Sequence, residues 1–205
     1  SELFFRMLNF LRITRINNLL QNIMDILLQK LRQFAYSEVE RTGMSIKMHV
    51  DLATTKGIEL AKKLGANVEI VEAGTLMMAC VLGDAILEGR IQDHVDMCYK
   101  KTKDILSGFD KIPQETKDKI LQCVLRHHGS DKFYSIESEI CCNADCYRFA
   151  SIKEFIVYIR YVREMIFEKM IDLISKKVDE KWNALTLDVC RQEIEPQYKI
   201  LQEML

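Results

Sequence analysis

The chain has 205 residues, with 29 Lys and Arg against 30 Asp and Glu, a formal net charge of −1, and only 2 prolines and 8 glycines. That length suffices for one buried core, alone or with helical additions, and so little Pro and Gly beside plentiful Leu, Ile, Met, Lys and Glu points to an all-α fold. The balanced charge excludes a global basic field, so there is no strong signal for a nucleic-acid partner.

Residues 3–35 form an apolar and basic run. Arg6, Arg12, Arg15, Lys30 and Arg32 interrupt it, which excludes a membrane span of about 20 uncharged residues and a secretory apolar region. Its apolar positions, from Leu8 and Leu11 through Leu19, Leu20, Ile23, Ile26 and Leu27 to Leu31 and Phe34, recur at helical spacing. We expect a helix packed on the core or on a second copy of the chain, in preference to a membrane surface.

Gly43 marks a break, and the pattern predicts a second helix from about Met44 to Leu64, stopped by Gly65. On it His49, Ala53, Gly57, Leu60 and Leu64 share one face, which turns His49 toward the core. A third helix from about Val71 places Leu76, Met77, Cys80, Val81 and Asp84 on adjoining positions, so that Asp84 extends an apolar face. A fourth, Ile91 to Leu106, holds His94 one turn from Cys98. Pro113 is placed to open a fifth, which ends at Gly129 with His127 and His128 in its last turn. After a loop at 130–135, a sixth helix from Ile136 to Phe149 aligns Ile140, Cys141, Ala144, Asp145 and Phe149. From Ser151 the chain reads as helix to about Trp182, and again from Leu187.

The chain shows no Gly-rich phosphate loop, no Gly-x-Ser-x-Gly elbow and no paired CxxC units. Its seven cysteines include one adjacent pair, Cys141-Cys142, but no regular framework. With no secretory signal visible, a reducing cytoplasm is the expected location. Cys142 and Cys146 share a helical face, yet no second close pair completes a zinc set, and the cysteines are expected to be small buried hydrophobes. The chain starts at Ser1 and not Met, which leaves room for a trimmed tag or an upstream domain.

All four histidines fall between His49 and His128, and His49, Asp84 and Asp145 each lie on the apolar stripe of their own helix. An ionised carboxylate on such a face needs a partner, and a divalent cation with nitrogen and oxygen ligands is one way to satisfy the whole set.

The order His49, Gly83-Asp84, His94, His127-His128 and Asp145, carried by "HVDLATTKGIELAKKL", "EAGTLMMACVLGDAI", "LRHHG" and "EICCNADCYRF", resembles the HD-domain superfamily of metal-dependent phosphohydrolases. The resemblance covers roughly residues 44–150. It implies an HD-like helical bundle: an N-terminal helical extension at 1–40, a metal-binding core at 41–150, and C-terminal helices at 151–205 packing on that core. It implies one ion (Mn, Fe, Mg, Ni or Zn) held by His49, Asp84 and Asp145, with Asp84 as the catalytic ligand. In two-metal members, histidines matching His94, His127 and His128 hold a second ion that Asp84 bridges. The substrate would be a nucleotide or small phosphate ester, met by Arg90, Arg126 or Lys132. Gly83 stands where the family has the histidine of its His-Asp pair, and the Gly-Tyr-Pro signature of cyclic-dinucleotide phosphodiesterases is absent after His128. Two functions follow as expectations: a phosphohydrolase impaired by Gly83, or a degenerate module that binds a nucleotide or protein partner without turnover. A third, a plain helical interaction domain, leaves the histidine cluster unexplained.

Overall fold

The computed structural model describes residues 2–43 and 47–205, with side chains except at 2–13, 16, 17, 154, 160 and 161. Among the described residues the chain is helical with no strand: α1 (Glu2–Thr42), α2 (Lys47–Leu64), α3 (Val68–Met77), α4 (Leu82–Leu87), a single 3-10 turn (Ile91–Asp93), α5 (His94–Ser107), α6 (Gln114–Leu125), α7 (Ile136–Ala150), α8 (Ile152–Val162), α9 (Phe167–Ala184) and α10 (Asp188–Met204). The all-α expectation holds, as a helical bundle.

Helix α7 is its axis, packed against α2, α3, α6, α8, α9 and α10. It starts where Ser135 and Ser138 form a reciprocal capping box: Ser135 Oγ accepts from the Ser138 amide at 3.4 Å, and Ser138 Oγ accepts from the Ser135 amide at 3.2 Å. The main core runs from Leu27 and Leu31 of α1, through Leu60, Leu76 and Ile120, to Ile140 of α7 and Ile194 of α10. A smaller cluster of Phe155, Ile174, Val178 and Leu201 ties α8, α9 and α10 together. Buried Asn143 holds the link between α9 and α10 against α7: its amide donates to Thr186 Oγ1 at 2.9 Å, and its oxygen accepts from the Thr186 and Leu187 amides, each at 3.1 Å. That link fixes the end of α9, and with it the position of Lys181.

The first helix extends past Phe34 to Thr42. Leu27 and Leu31 are fully buried, whereas Leu19, Leu20 and Ile26 are exposed. Leu8 and Leu11 lie outside the described side chains, and the expected start of the second helix at Met44 lies outside the described residues.

The expected continuous third helix is in fact two. α3 ends at Met77, residues 78–81 turn, with the Cys80 amide on Met77 O at 3.2 Å and the Leu82 amide on Ala79 O at 3.2 Å, and α4 restarts at Leu82. The turn resets the helical phase, and Asp84 leaves the apolar face that periodicity assigned to it. Gly83 then meets the end of α1: a Cβ there would lie 2.2 Å from Thr42 Oγ1 and 2.6 Å from Thr42 Cβ. No side chain fits. The segment Val68–Leu87, with a mean hydropathy of 1.8, is long and apolar enough to cross a membrane by composition, but 67% of that window is buried inside the bundle.

Candidate functional site

A cavity of about 520 Å³ opens where α2, the α3–α4 turn, the start of α5, the chain after α6, α7, α8 and α9 converge. It gathers every histidine. His49 comes from α2 and His94 is the first residue of α5, while His127 and His128 follow α6 in a turn that Gly129 leaves with a φ of 114°. Asp145, Arg148 and Phe149 come from α7, and Lys177 and Lys181 from α9.

Three of the rings form a tight group. The His127 and His128 centroids are 4.3 Å apart, with His94 at 5.7 Å and 5.0 Å from them. His127 Nδ1 lies 2.7 Å from Val124 O and His94 Nδ1 lies 2.6 Å from Ile91 O. Each of these nitrogens must carry the proton it donates, which leaves both Nε2 atoms with lone pairs. The Lys181 ammonium donates to His128 Nδ1 at 3.1 Å, so the His128 proton sits on Nε2 and points at His94 Nε2, 3.1 Å away. A chain of polarised hydrogen bonds thus runs from Lys181 through His128 and His94 to a backbone carbonyl. Burial keeps these rings neutral. It depresses His49 and His127 to about 3 and His128 to about 4, with the Lys181 charge adding to the effect on His128.

Asp145 is buried between two cations: Arg148 Nη1 donates to Oδ1 at 2.9 Å, and Lys181 Nζ lies 2.7 Å from Oδ2 as an ion pair without hydrogen-bond geometry. Burial alone would raise its pKa, but the two cations outweigh that and hold the carboxyl well below the usual range. In turn Asp145 overcomes the burial of Lys181 and keeps it protonated, with a pKa above the ordinary lysine value. Arg148 has capacity left, because its buried Nε has no hydrogen-bond partner among the described residues. Lys177 is the most exposed of the three cations and pairs with Glu180 at 2.6 Å.

The expected site residues divide. His49, His94, His127, His128 and Asp145 line one cavity. Asp84 does not: it pairs with Arg41 at 2.6 Å in a separate surface groove with Glu38, Glu88 and Lys100. Nor do the expected phosphate-binding residues reach the cavity. Arg90 is spent on Glu88 and Asp93, each at 3.1 Å, Arg126 binds Gln122, Ser130 and the Lys132 carbonyl, and Lys132 is exposed in that loop. The cations that do line it, Arg148, Lys177 and Lys181, carried no weight in the sequence. A signal existed for Lys181, which follows Ile174 and Val178 on one buried stripe of α9.

These placements bear on which metal set fits. In this arrangement Asp84 does not line the cavity with His49 and Asp145, and Lys181 and Arg148 stand beside Asp145. One ring nitrogen from each of His94, His127 and His128 lies within 4.8 Å of the other two, the one such group among the described residues. His94 and His127 have the tautomer a metal needs. His128 does not while Lys181 donates to its Nδ1. All seven cysteines are buried and unbonded to one another.

No protein-family model and no curated protein sequence matches the chain. Solved structures do. Bacillus subtilis YpgQ in complex with ADP aligns with a TM-score of 0.62 at 18% identity, over 89% of this chain and 93% of that one. A Lactobacillus plantarum protein aligns at 0.64 and 14% identity, over 87% and 93%. A predicted HD superfamily hydrolase from an uncultured Thermotogales bacterium aligns at 0.58 and 12% identity, over 90% and 87%. What this chain shares with them is the fold, an all-helical bundle.

Proposed function

We propose that this protein is an HD-fold module whose cavity binds a phosphorylated small molecule through protein cations and without hydrolysing it. One observation carries the reading: the Asp145 carboxylate is ion-paired with two buried cations, Arg148 hydrogen-bonded to Oδ1 and Lys181 2.7 Å from Oδ2. A carboxylate so paired has little left to give a metal. Gly83 brings no imidazole, and Asp84 is taken by Arg41. The described residues lining the cavity carry three cations against one carboxylate, and with Glu180 beside Lys177 the local balance is still positive by one charge, which favours anions. The ADP bound to YpgQ supports a phosphate-bearing ligand for this fold.

In this reading Lys181 and Arg148, fixed by Asp145, form a rigid cationic floor. Arg148 can direct donors to phosphate oxygens. Lys177, nearer solvent, adds a third charge. The neutral histidines supply donors and acceptors at close range without adding charge that would repel Lys181.

A second reading rests on the nitrogen cluster: His94, His127 and His128 would hold a divalent ion. The chemistry such an ion supplies when bound is polarisation of a phosphoryl oxygen. His128 would have to move its proton to Nδ1, against the Lys181 ammonium. The two readings part in calorimetry on chelator-treated protein with pyrophosphate and ADP, alongside phosphatase assays with added manganese. The binding reading expects metal-independent binding weakened by Lys177→Ala, with no hydrolysis. Manganese-dependent hydrolysis abolished by His94→Ala would replace it with the second.

A further inference from the structure

We infer that the ligand of this cavity is an amphiphile, a phosphate monoester of an aliphatic chain, and not a nucleotide. The inference rests on the anion-binding reading above and names what lies beyond the phosphate. The cavity lining is of two kinds. The cations and histidines are one. The other is apolar and aromatic: Leu82 and Ile86 of α4, Ile91 of the 3-10 turn, Tyr158 and Val162 of α8, and Phe149 of α7, whose ring centroid lies 5.7 Å from the Arg148 guanidinium and 6.0 Å from the Lys181 ammonium.

A nucleoside needs partners for its ribose hydroxyls and base edges, and a pocket that binds those groups must offer donors and acceptors where they land. Besides the cations, Asp145 and the histidines, the described lining residues with polar side-chain groups are Gln92 and Tyr158, through its hydroxyl. The charged residues closest in sequence to Gln92 are committed to each other, Arg90 to Asp93. The aromatic pair is also closed: Phe149 and Tyr158 meet edge to face, with centroids 5.0 Å apart, so neither lies parallel to the other to sandwich a base. An alkyl chain asks for none of these partners and gains by leaving water.

The size suits that occupant. A volume of about 520 Å³ is in the range that encloses small ligands. Arg148 lines the cavity, and its Nε, fully buried and without a hydrogen-bond partner among the described residues, is a donor that a shift of the guanidinium would turn to a bound phosphate.

Calorimetry in chelator-containing buffer tests it, with inorganic phosphate, ADP, butyl, hexyl and octyl phosphate, octanoate and octanol, all below micelle-forming concentrations. Burial of two further methylenes is worth about tenfold in affinity when complete. We expect a gain of about three- to tenfold at each step from butyl to octyl. Octyl phosphate should outbind ADP, octanoate and octanol. Lys177→Ala should weaken every phosphate ligand. Ile91→Ser, a change at an exposed position, should weaken octyl phosphate more than butyl phosphate. Affinity independent of chain length, or ADP tighter than octyl phosphate, overturns the amphiphile and leaves the phosphate reading standing. Octanoate binding as tightly as octyl phosphate, with phosphate not binding, moves the headgroup to a carboxylate and overturns the phosphate. No binding by any of these ligands overturns both.

Discussion

Asp84 and Asp145 are each an aspartate on a helix beside the histidine cluster, and the resemblance in sequence gives them one shared role. Their surroundings differ in every respect that matters chemically. The Asp84 side chain is 30% exposed and meets one exposed arginine at a groove on the outside of α4. That of Asp145 is 2% exposed and clamped between a buried lysine and a buried arginine. A motif specifies residue types in order; it does not specify which way a helix faces after a turn. Here four residues of turn between α3 and α4 separate a carboxylate that could meet an ion from one that meets a solvated charge. The comparison can be sharpened or broken by four measurements.

The largest expected effect is in acid, and it belongs to the cavity alone. His49 and His127 have folded pKa values of about 3 against 6.5 unfolded. A base with a depressed folded pKa contributes stability that is complete above pH 6.5 and lost as pH falls toward 3. Each ring should remove on the order of 1 kcal/mol per pH unit within that window. Asp145 joins only below about pH 4, because its folded pKa is depressed from a lower starting value. Urea denaturation at pH 7.5, 6 and 5 should show a steep fall, which His49→Gln makes shallower. A flat profile between pH 7.5 and 5 would mean that the rings take up protons in the folded protein as readily as in the unfolded chain, and so are wetter than this packing allows.

Lys181→Met comes next. It leaves Asp145 buried with Arg148 alone, and removing one partner from a buried ion pair costs about 3–5 kcal/mol. Arg148 should hold the loss near the lower figure. Asp145→Asn in the Lys181→Met background should recover part of it, because the unpaired charge is then gone. A loss no larger than that of a surface pair would show that Asp145 is solvated, and would reopen it as an ion ligand.

How much of this was legible in the sequence follows from the same contrast. The helices were, because apolar spacing survives any tertiary arrangement: Ile136–Ala150 and His94–Ser107 lie close to the spans that periodicity marks. The inward faces of His49 and Asp145 were legible from apolar spacing, whereas the histidine pair joined them only through the order of the resembling family. The break at 78–81 was not, since Met78, Ala79, Cys80 and Val81 are all compatible with helix and no Gly or Pro marks the turn. Nor was the cationic floor. Lysines are read as solvated by default, and only the position of Lys181 on the stripe of Ile174 and Val178 argued otherwise.

Gly83 offers a test of intermediate size. The loss of the pair's histidine has a packing counterpart, since a Cβ at residue 83 would meet Thr42. Gly83→Ala should therefore destabilise by about 1–3 kcal/mol, as overpacking does. Gly83→His should do the same or worse, with no gain in metal binding, because the added side chain is blocked by α1 and its neighbour Asp84 faces the groove. Thr42→Gly should relieve much of the penalty of Gly83→Ala in a double-mutant cycle. Additive effects would say that α1 does not press on Gly83 as described.

The smallest effect is expected at Asp84 itself. Its partner Arg41 lies at the surface and also pairs with Glu38, so losing the Asp84 contact leaves neither group desolvated and alone. Asp84→Asn keeps the volume and removes the charge. It should leave the urea midpoint near that of the parent protein, and change phosphate or alkyl phosphate affinity by less than about twofold, as expected for a site that shares no partner with the cavity. The same substitution in a protein whose Asp84 held an ion would abolish metal binding and any turnover. Metal titration of the pair is therefore the decisive readout: loss of a tight site in Asp84→Asn would return Asp84 to the histidines and show that the turn at 78–81 can rotate it inward. Equal weak binding in both proteins would place whatever ion the protein takes at the three clustered rings, with Asp84 serving only to fasten α4 to the end of α1.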